Sequence, residues 1–277
     1  MKYKINVEEL TQSLVDWVRV WFNHNGPNCN AVLGISGGKD STIAAAILVE
    51  ALGKDRVIGV MLPNGKQHDQ NVAKEVCDYL GIRQYEMNIR DIYDSFIDTY
   101  CGCIGEPLPS EQSLINLAPR IRMTALRFVA QTMNGRFINT SNLSEDWVGY
   151  ATIDGDSAGD MSVFSMLTVQ EVKAIGHYLK LPAHFVEKVP EDGLVGKTDE
   201  DNLGVSYVDI DAYIRNSSEV SPETIEKIEK KFRAKEFKLR ATSGMPKFYP
   251  NLEDLYEDVT KGEIEKIPSL SMDLRWK

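Results

Sequence analysis

Leu10, Leu14, Trp17, Val18 and Trp21 recur at steps of three and four, the spacing of one helical face. Asn6, with Glu9 three positions later, supplies a capping signal, so the pattern predicts a helix of roughly 16 residues. The next pattern is of a different kind. Ala31 to Ile35 is an unbroken apolar run, as a strand buried on both faces requires, and it breaks into Ser36-Gly37-Gly38-Lys39-Asp40-Ser41. A helical stretch from Thr42 to Leu52 follows and stops at Gly53. Arg56 to Leu62 predicts a second buried strand, ended by Pro63-Asn64-Gly65. Val72, Val76, Tyr79 and Leu80 define another helix stopped by Gly81, and a third strand is expected near Gln84 to Ile89. This alternation predicts an α/β fold with a doubly wound parallel sheet flanked by helices.

Further along, Asn116 reads as the cap of a helix that holds Pro119 in its first turn and runs to about Met133. Arg136 to Asn139 reads as another central strand. Thr168 and Glu171 form a second capping box, followed by Val172, Ile175 and Leu179 at helical spacing. Ser221-Pro222-Glu223 opens a charged helix through Phe232, expected as a solvated face. Without repeats or a linker, residues 1–277 read as one domain with a mobile tail from about 240.

Composition narrows the picture. At 43% hydrophobic and 26% charged over 277 residues, disordered and disulfide-scaffold classes are excluded. The longest apolar run, Ile43 to Val49, is too short to span a bilayer, and Met1 to Glu9 carries no signal-peptide core; a cytoplasmic protein with no membrane partner is expected. Net charge is 31 − 41 = −10, which offers nucleic acid no general attraction. An anion must therefore be held locally, by bound cations, backbone N–H groups and a few placed basic residues. Cys29, Cys77, Cys101 and Cys103 lack the spacing of a zinc site and read as reduced thiols.

The glycine-rich loop meets that requirement. A strand running through Gly34 and Ile35 into Ser36-Gly37-Gly38-Lys39-Asp40-Ser41 and then a helix gathers backbone N–H groups and a positive helix end around one small volume. Ser36 and Ser41 add hydroxyls and Lys39 adds charge. Asp40 alone would repel a phosphate, so it makes sense as a Mg²⁺ ligand. The loop is not a Walker A loop, because Lys39 is followed by Asp40, nor does it fit G-x-G-x-x-G. It resembles the pyrophosphate-binding loop of the ATP pyrophosphatase superfamily, whose members split ATP to AMP and pyrophosphate.

Within that superfamily, the segments Asn116 to Met123, Asn139 to Glu145, Gly149-Tyr150, Gly155 to Asp160 and Asp199 to Tyr207 follow in order. This resembles NAD synthetase from about Leu10 to Arg240. The resemblance implies an adenine nucleotide alpha hydrolase-like, Rossmann-like fold. It also implies ATP-dependent amidation of deamido-NAD through an acyl-adenylate, giving NAD, AMP and pyrophosphate. By the same resemblance, Asp40, Thr140 and Glu145 are the catalytic candidates, with Mg²⁺ held by Asp40 and Glu145. Gly34, Ile35, Ser36, Gly37, Gly38, Lys39, Asp40, Ser41 and Thr140 would bind ATP, and Arg120 and Asp160 deamido-NAD.

The chain departs from the family pattern at Ile153 and Val169, where many members carry cations, at Glu191, where many carry Ser or Thr, and at Phe237, where His is common. Lys173, four residues beyond Val169, has two readings: an amine that reaches the same phosphate, or a solvent-facing lysine. With only 35 residues before the loop there is no room for an amidotransferase domain, so free ammonia is the expected nitrogen donor. The resemblance also implies a homodimer, for which the Leu10/Trp17/Trp21 stripe is either seam or core. The rival readings are a nucleotide-binding relative with weakened catalysis and a tRNA thiolase; the −10 charge disfavours the latter.

Overall fold

The computed structural model describes residues 3–66, 70–188, 200, 203–216, 219–241 and 247–250. Five strands form one parallel sheet: β1 (Asn30–Gly34), β2 (Val57–Met61), β3 (Arg83–Glu86), β4 (Gly135–Asn139) and β5 (Met161–Ser162), in the order β3-β2-β1-β4-β5. From β1 the chain winds outward through β2 to β3, then returns to β1's other side for β4 and β5. The register is set centrally by Ala31 beside Val57 and Arg136, and Val32 beside Ile58 and Phe137. That reversal between β1 and β4 is a topological switch, which opens a crevice beyond their carboxyl ends.

Strand residues alternate between two cores, because successive side chains point to opposite faces. Ala31, Leu33, Val57, Met61 and Ile138 face a core built by α1 (Val7–Asn25), α2 (Lys39–Leu52), α3 (Gln70–Leu80), α7 (Val169–Tyr178) and α8 (Ala183–Val186). Val32, Ile58, Val60 and Phe137 face a second core under α5 (Glu111–Thr132), beside α4 (Arg90–Cys103). Gly59 lies on the α3 side of β2, where an added Cβ would come within 2.9 Å of the Cys77 sulfur. A third cluster gathers around Trp147 of α6 (Leu143–Trp147), with α9 (Tyr207–Ile214) and α10 (Pro222–Ala241).

The expected strands and helices are present, and Leu10, Leu14 and Val18 of α1 are fully buried. The α1 stripe is therefore core; Trp17 and Trp21 pack at its margin. Two expectations are corrected. The helix expected from Asn116 begins at Glu111, capped by the Ser110 side chain, which accepts from the Ser113 N–H; Pro119 thus lies in the helix interior. There its ring packs against the loop at Gly155, and Ile121, Ala125 and Leu126 anchor the helix to the sheet. The charged helix is longer than expected and is no simple solvated face: α10 buries Ile228 and stacks Phe232 on Trp147 at 4.5 Å. Among the described residues beyond 240, Phe248 is buried edge-on against Trp17 and Lys247 bridges to Ser162 of β5. Glu191 lies outside the described residues.

Candidate active site

Two loops leave the sheet at the switch point. The first follows β1. Gly37 takes φ +76, and an added Cβ would meet the Ala73 N–H at 3.0 Å, so only glycine suits this close approach of α3. The loop closes on its own hydroxyls. Ser36 Oγ accepts from the Gly38 N–H at 3.2 Å and lies 3.2 Å from Ser41 Oγ, which donates to the Gly38 carbonyl. These bonds shape the turn that points the first N–H groups of α2 into the crevice. Ile35 presents only its backbone there, since its side chain is in the core.

The second loop follows β4 and carries Thr140 and Ser141 into α6. Asn142 caps that helix, its Oδ1 accepting from the Glu145 N–H at 3.1 Å, and this fixes Glu145 in the first turn. The same Asn142 side chain donates to Asp40 Oδ1 at 3.2 Å. One buried asparagine thus ties the two loops together.

Lys39 completes the junction. Its side chain is 3% exposed, and its ammonium lies 2.8 Å from Asp40 Oδ2 and 3.3 Å from Glu145 Oε1. Burial works against the ammonium's charge, and the two carboxylates outweigh it, holding the amine above the ordinary lysine range. Burial likewise pushes the Glu145 carboxyl up, against the pull of Lys39. The sequence reading expected Lys39 to add charge for a phosphate; its ammonium instead bridges two carboxylates brought together across 105 residues of chain. The arrangement demonstrates that one cation can touch both. Two carboxylates without further protein ligands form a donor set that suits a hard divalent ion completed by phosphate oxygens and water. Among the described residues no group of three or more metal-binding side chains occurs.

A buried network holds α6 in place. The Ser144 hydroxyl donates to Asp211 Oδ1 at 2.5 Å and accepts from the Val169 N–H at 3.0 Å; Asp211 Oδ2 accepts from the Gln170 N–H at 2.8 Å. Beside it, Glu171 receives the Arg215 guanidinium at 2.7 and 2.8 Å. Burial pushes the Asp211 carboxyl up to about 7, against the pull of the Ser144 hydroxyl and the Gln170 N–H. Val169, a position where a cation was noted as common, is buried against Leu143 and Trp147's cluster. Lys173 pairs with Glu187 at 2.9 Å.

The remaining candidates sit along α5. Arg120 donates to the Ile153 carbonyl at 3.2 Å and is exposed. Asp160 accepts from the Phe137 N–H at 2.8 Å and from Arg127 Nη1 at 2.7 Å. Arg127 was missed in the sequence, although it lies seven residues, two turns, beyond Arg120 and so shares its helix face. Asn142 was missed as a bridge; its capping spacing to Glu145 was the available signal. Lys238 donates to the Gly149 and Ala151 carbonyls, both at 2.7 Å, and pins the loop that carries Ile153.

A family model described as NAD synthase matches residues 10–242. The NH(3)-dependent NAD(+) synthetase of Pyrococcus furiosus is 33% identical over 91% of this chain and 98% of its own length. Among solved structures, the NMN synthetase of Francisella tularensis matches with a TM-score of 0.75 at 30% identity, covering 89% of this chain and 99% of that one. The NH3-dependent NAD synthetase of Campylobacter jejuni, in complex with nitrate, gives 0.69 at 26% identity over 88% of this chain and 99% of that one. A likeness that runs through both crevice loops and nearly the whole described sheet leaves one assignment: the chain belongs to the NAD synthase family, a family of ligases.

Proposed function

We propose that the protein converts deamido-NAD to NAD with ATP and free ammonia. A nicotinate carboxylate oxygen attacks the α-phosphorus of ATP and pyrophosphate leaves. Ammonia then adds to the carbonyl of the acyl-adenylate, AMP leaves, and the nitrogen loses a proton to become the amide. One observation carries this reading: Asp40 and Glu145 share a single cation at the switch point of a sheet whose relatives are named as ammonia-dependent NAD synthetases.

The residues take roles their chemistry supports. Asp40 and Glu145 hold Mg²⁺, which when bound neutralises charge on the phosphate oxygens and favours pyrophosphate as leaving group. The stretch Gly34 to Ser41 receives ATP; its N–H groups at the start of α2 face the phosphates, and the Thr140 hydroxyl contacts the nucleotide from the other loop. Arg120 and Asp160 bind deamido-NAD, and Arg127 braces Asp160 by their 2.7 Å pair. A carboxylate has lone pairs beyond the two already used, so Asp160 can still accept from a ribose hydroxyl.

The active form in this proposal is a homodimer assembled through α4 and α5. Phe96, Leu108 and Phe128, on these helices and the loop between them, are 57%, 65% and 68% exposed, and Phe96, Tyr100 and Ile104 line an open groove of about 630 Å³. Exposed apolar surface of this kind calls for a cover, and α1's stripe is already buried. A cytoplasmic setting agrees with four unpaired cysteines and with the lack, among the described residues, of any helix long and apolar enough to cross a membrane.

The test is product analysis with deamido-NAD, ATP and Mg²⁺. AMP, pyrophosphate and NAD should form in equal amounts with ammonium, and glutamine should not replace it. Activity with glutamine alone overturns the ammonia reading. A second substrate belongs in the same assay, because the Francisella tularensis protein named for NMN synthesis is the better superposed of the two structures above. Nicotinic acid mononucleotide turned over in preference to deamido-NAD would assign the smaller substrate to the same site.

A further inference from the structure

Among the described residues, the Lys39 ammonium pairs with the two carboxylates that a metal would need. Asp40's other oxygen is taken by the Asn142 amide at 3.2 Å. We propose that Lys39 is a tethered counter-ion that withholds Asp40 and Glu145 from a free divalent cation until a nucleotide triphosphate draws its ammonium away. The inference rests on the assignment of these two carboxylates as metal ligands.

The physical argument is one of charge and burial. The two carboxylates and the ammonium sum to −1, so little net charge is left to attract a lone dication. A metal entering without nucleotide must displace the ammonium, stranding a lysine that is 3% exposed with no anion to face. A triphosphate changes this balance. Lys39 opens α2 directly after Ser36-Gly37-Gly38, so its flexible four-carbon stem can turn the ammonium toward phosphates lying on that loop. The carboxylates are then released at the moment the phosphates supply the rest of the metal's ligands. Metal and nucleotide binding are thereby coupled, and by linkage the coupling acts equally in both directions.

Mn²⁺ binding, followed by electron paramagnetic resonance on protein without deamido-NAD, tests this with no turnover involved. Wild type without nucleotide should bind Mn²⁺ weakly, and Lys39→Met should bind it about tenfold tighter or more. Lys39→Arg, which keeps the charge, should stay close to wild type. Addition of the non-hydrolysable analogue α,β-methylene-ATP should tighten Mn²⁺ binding in wild type by a factor about tenfold greater than in Lys39→Met. Lys39→Met no tighter than wild type, or equal gains from nucleotide in both, overturns the proposal. If Lys39→Met does not fold, Lys39→Gln carries the comparison, and tight Mn²⁺ binding by nucleotide-free wild type overturns it without any variant. Asp40→Asn and Glu145→Gln separate the two levels. If both leave Mn²⁺ binding with nucleotide unchanged, the metal site itself is wrong; if they weaken it while Lys39→Met matches wild type, only the role of Lys39 falls.

Discussion

The crevice between β1 and β4 and the outer face of α4 and α5 invert the ordinary rule of burial in opposite ways. In the crevice, Lys39 and Asn142 are buried with Asp40 and Glu145 beside them, and each polar group finds a partner within the chain. On α4, on α5 and in the loop between them, Phe96, Leu108 and Phe128 stand exposed to solvent. Buried charge is expensive unless compensated, so evolution keeps it where it does chemistry; exposed apolar surface costs when left wet, so it persists where something covers it. The first region is therefore broken by removing a charge, the second by adding one.

Asp40→Asn should lower AMP formation by about a thousandfold, as expected for loss of a metal-holding group. Unchanged AMP formation would remove the crevice from the mechanism. Phe96→Glu, which puts a charge into the apolar groove, should shift the sedimentation mass from twice 31.1 kDa to 31.1 kDa at micromolar protein. A wild type that already sediments at 31.1 kDa would sink the dimer.

The crevice's rear support makes a smaller and pH-dependent contribution. Ser144→Ala leaves Asp211 short of a hydroxyl and the Val169 N–H without its acceptor, at a cost of about 1–3 kcal/mol, read as a lower melting temperature. Asp211 has its folded value raised to about 7 from 3.8, so between those values the folded state holds more protons than the unfolded one. Wild type should thus lose stability relative to Asp211→Asn as pH rises from 4 to 7, and a gap that stays constant or closes the other way refutes the sign. The smallest effect concerns thiols. Cys103 is exposed and Cys101 half-buried, whereas Cys77 is buried and burial pushes it up to about 11. A thiol reagent near neutral pH should label Cys103 first and leave Cys77 untouched until the chain unfolds.

The same contrast explains what could be read in the sequence. The loop after β1 was legible because all its determinants are local: an apolar run, two glycines and a carboxylate within eleven residues. The sheet followed from the alternation of such runs with helical patterns. Lys39's contact with Glu145 was not legible, since it exists only once β1 and β4 lie side by side. Pro119 misplaced the start of α5 because proline is weighed against helix interiors, while packing of Ile121 and Leu126 carries the helix through it. In α10 the charged majority masked Ile228 and Phe232, whose spacing of four already marked an inward face. α4 escaped notice for another reason: it buries no residue completely, so its apolar positions describe an outward face rather than a core.

The pairing of β1 with β4 also bears on how the protein is made. A growing chain that has emerged only as far as β3 owns the phosphate loop but neither Glu145 nor the asparagine that fastens it. Its lysine and aspartate then have only each other, and the central strand shows a bare edge along Ala31 and Val32 to whatever passes. Until β4 follows, that edge has no strand of its own sheet to pair with, and Glu145 is not there to share the ammonium.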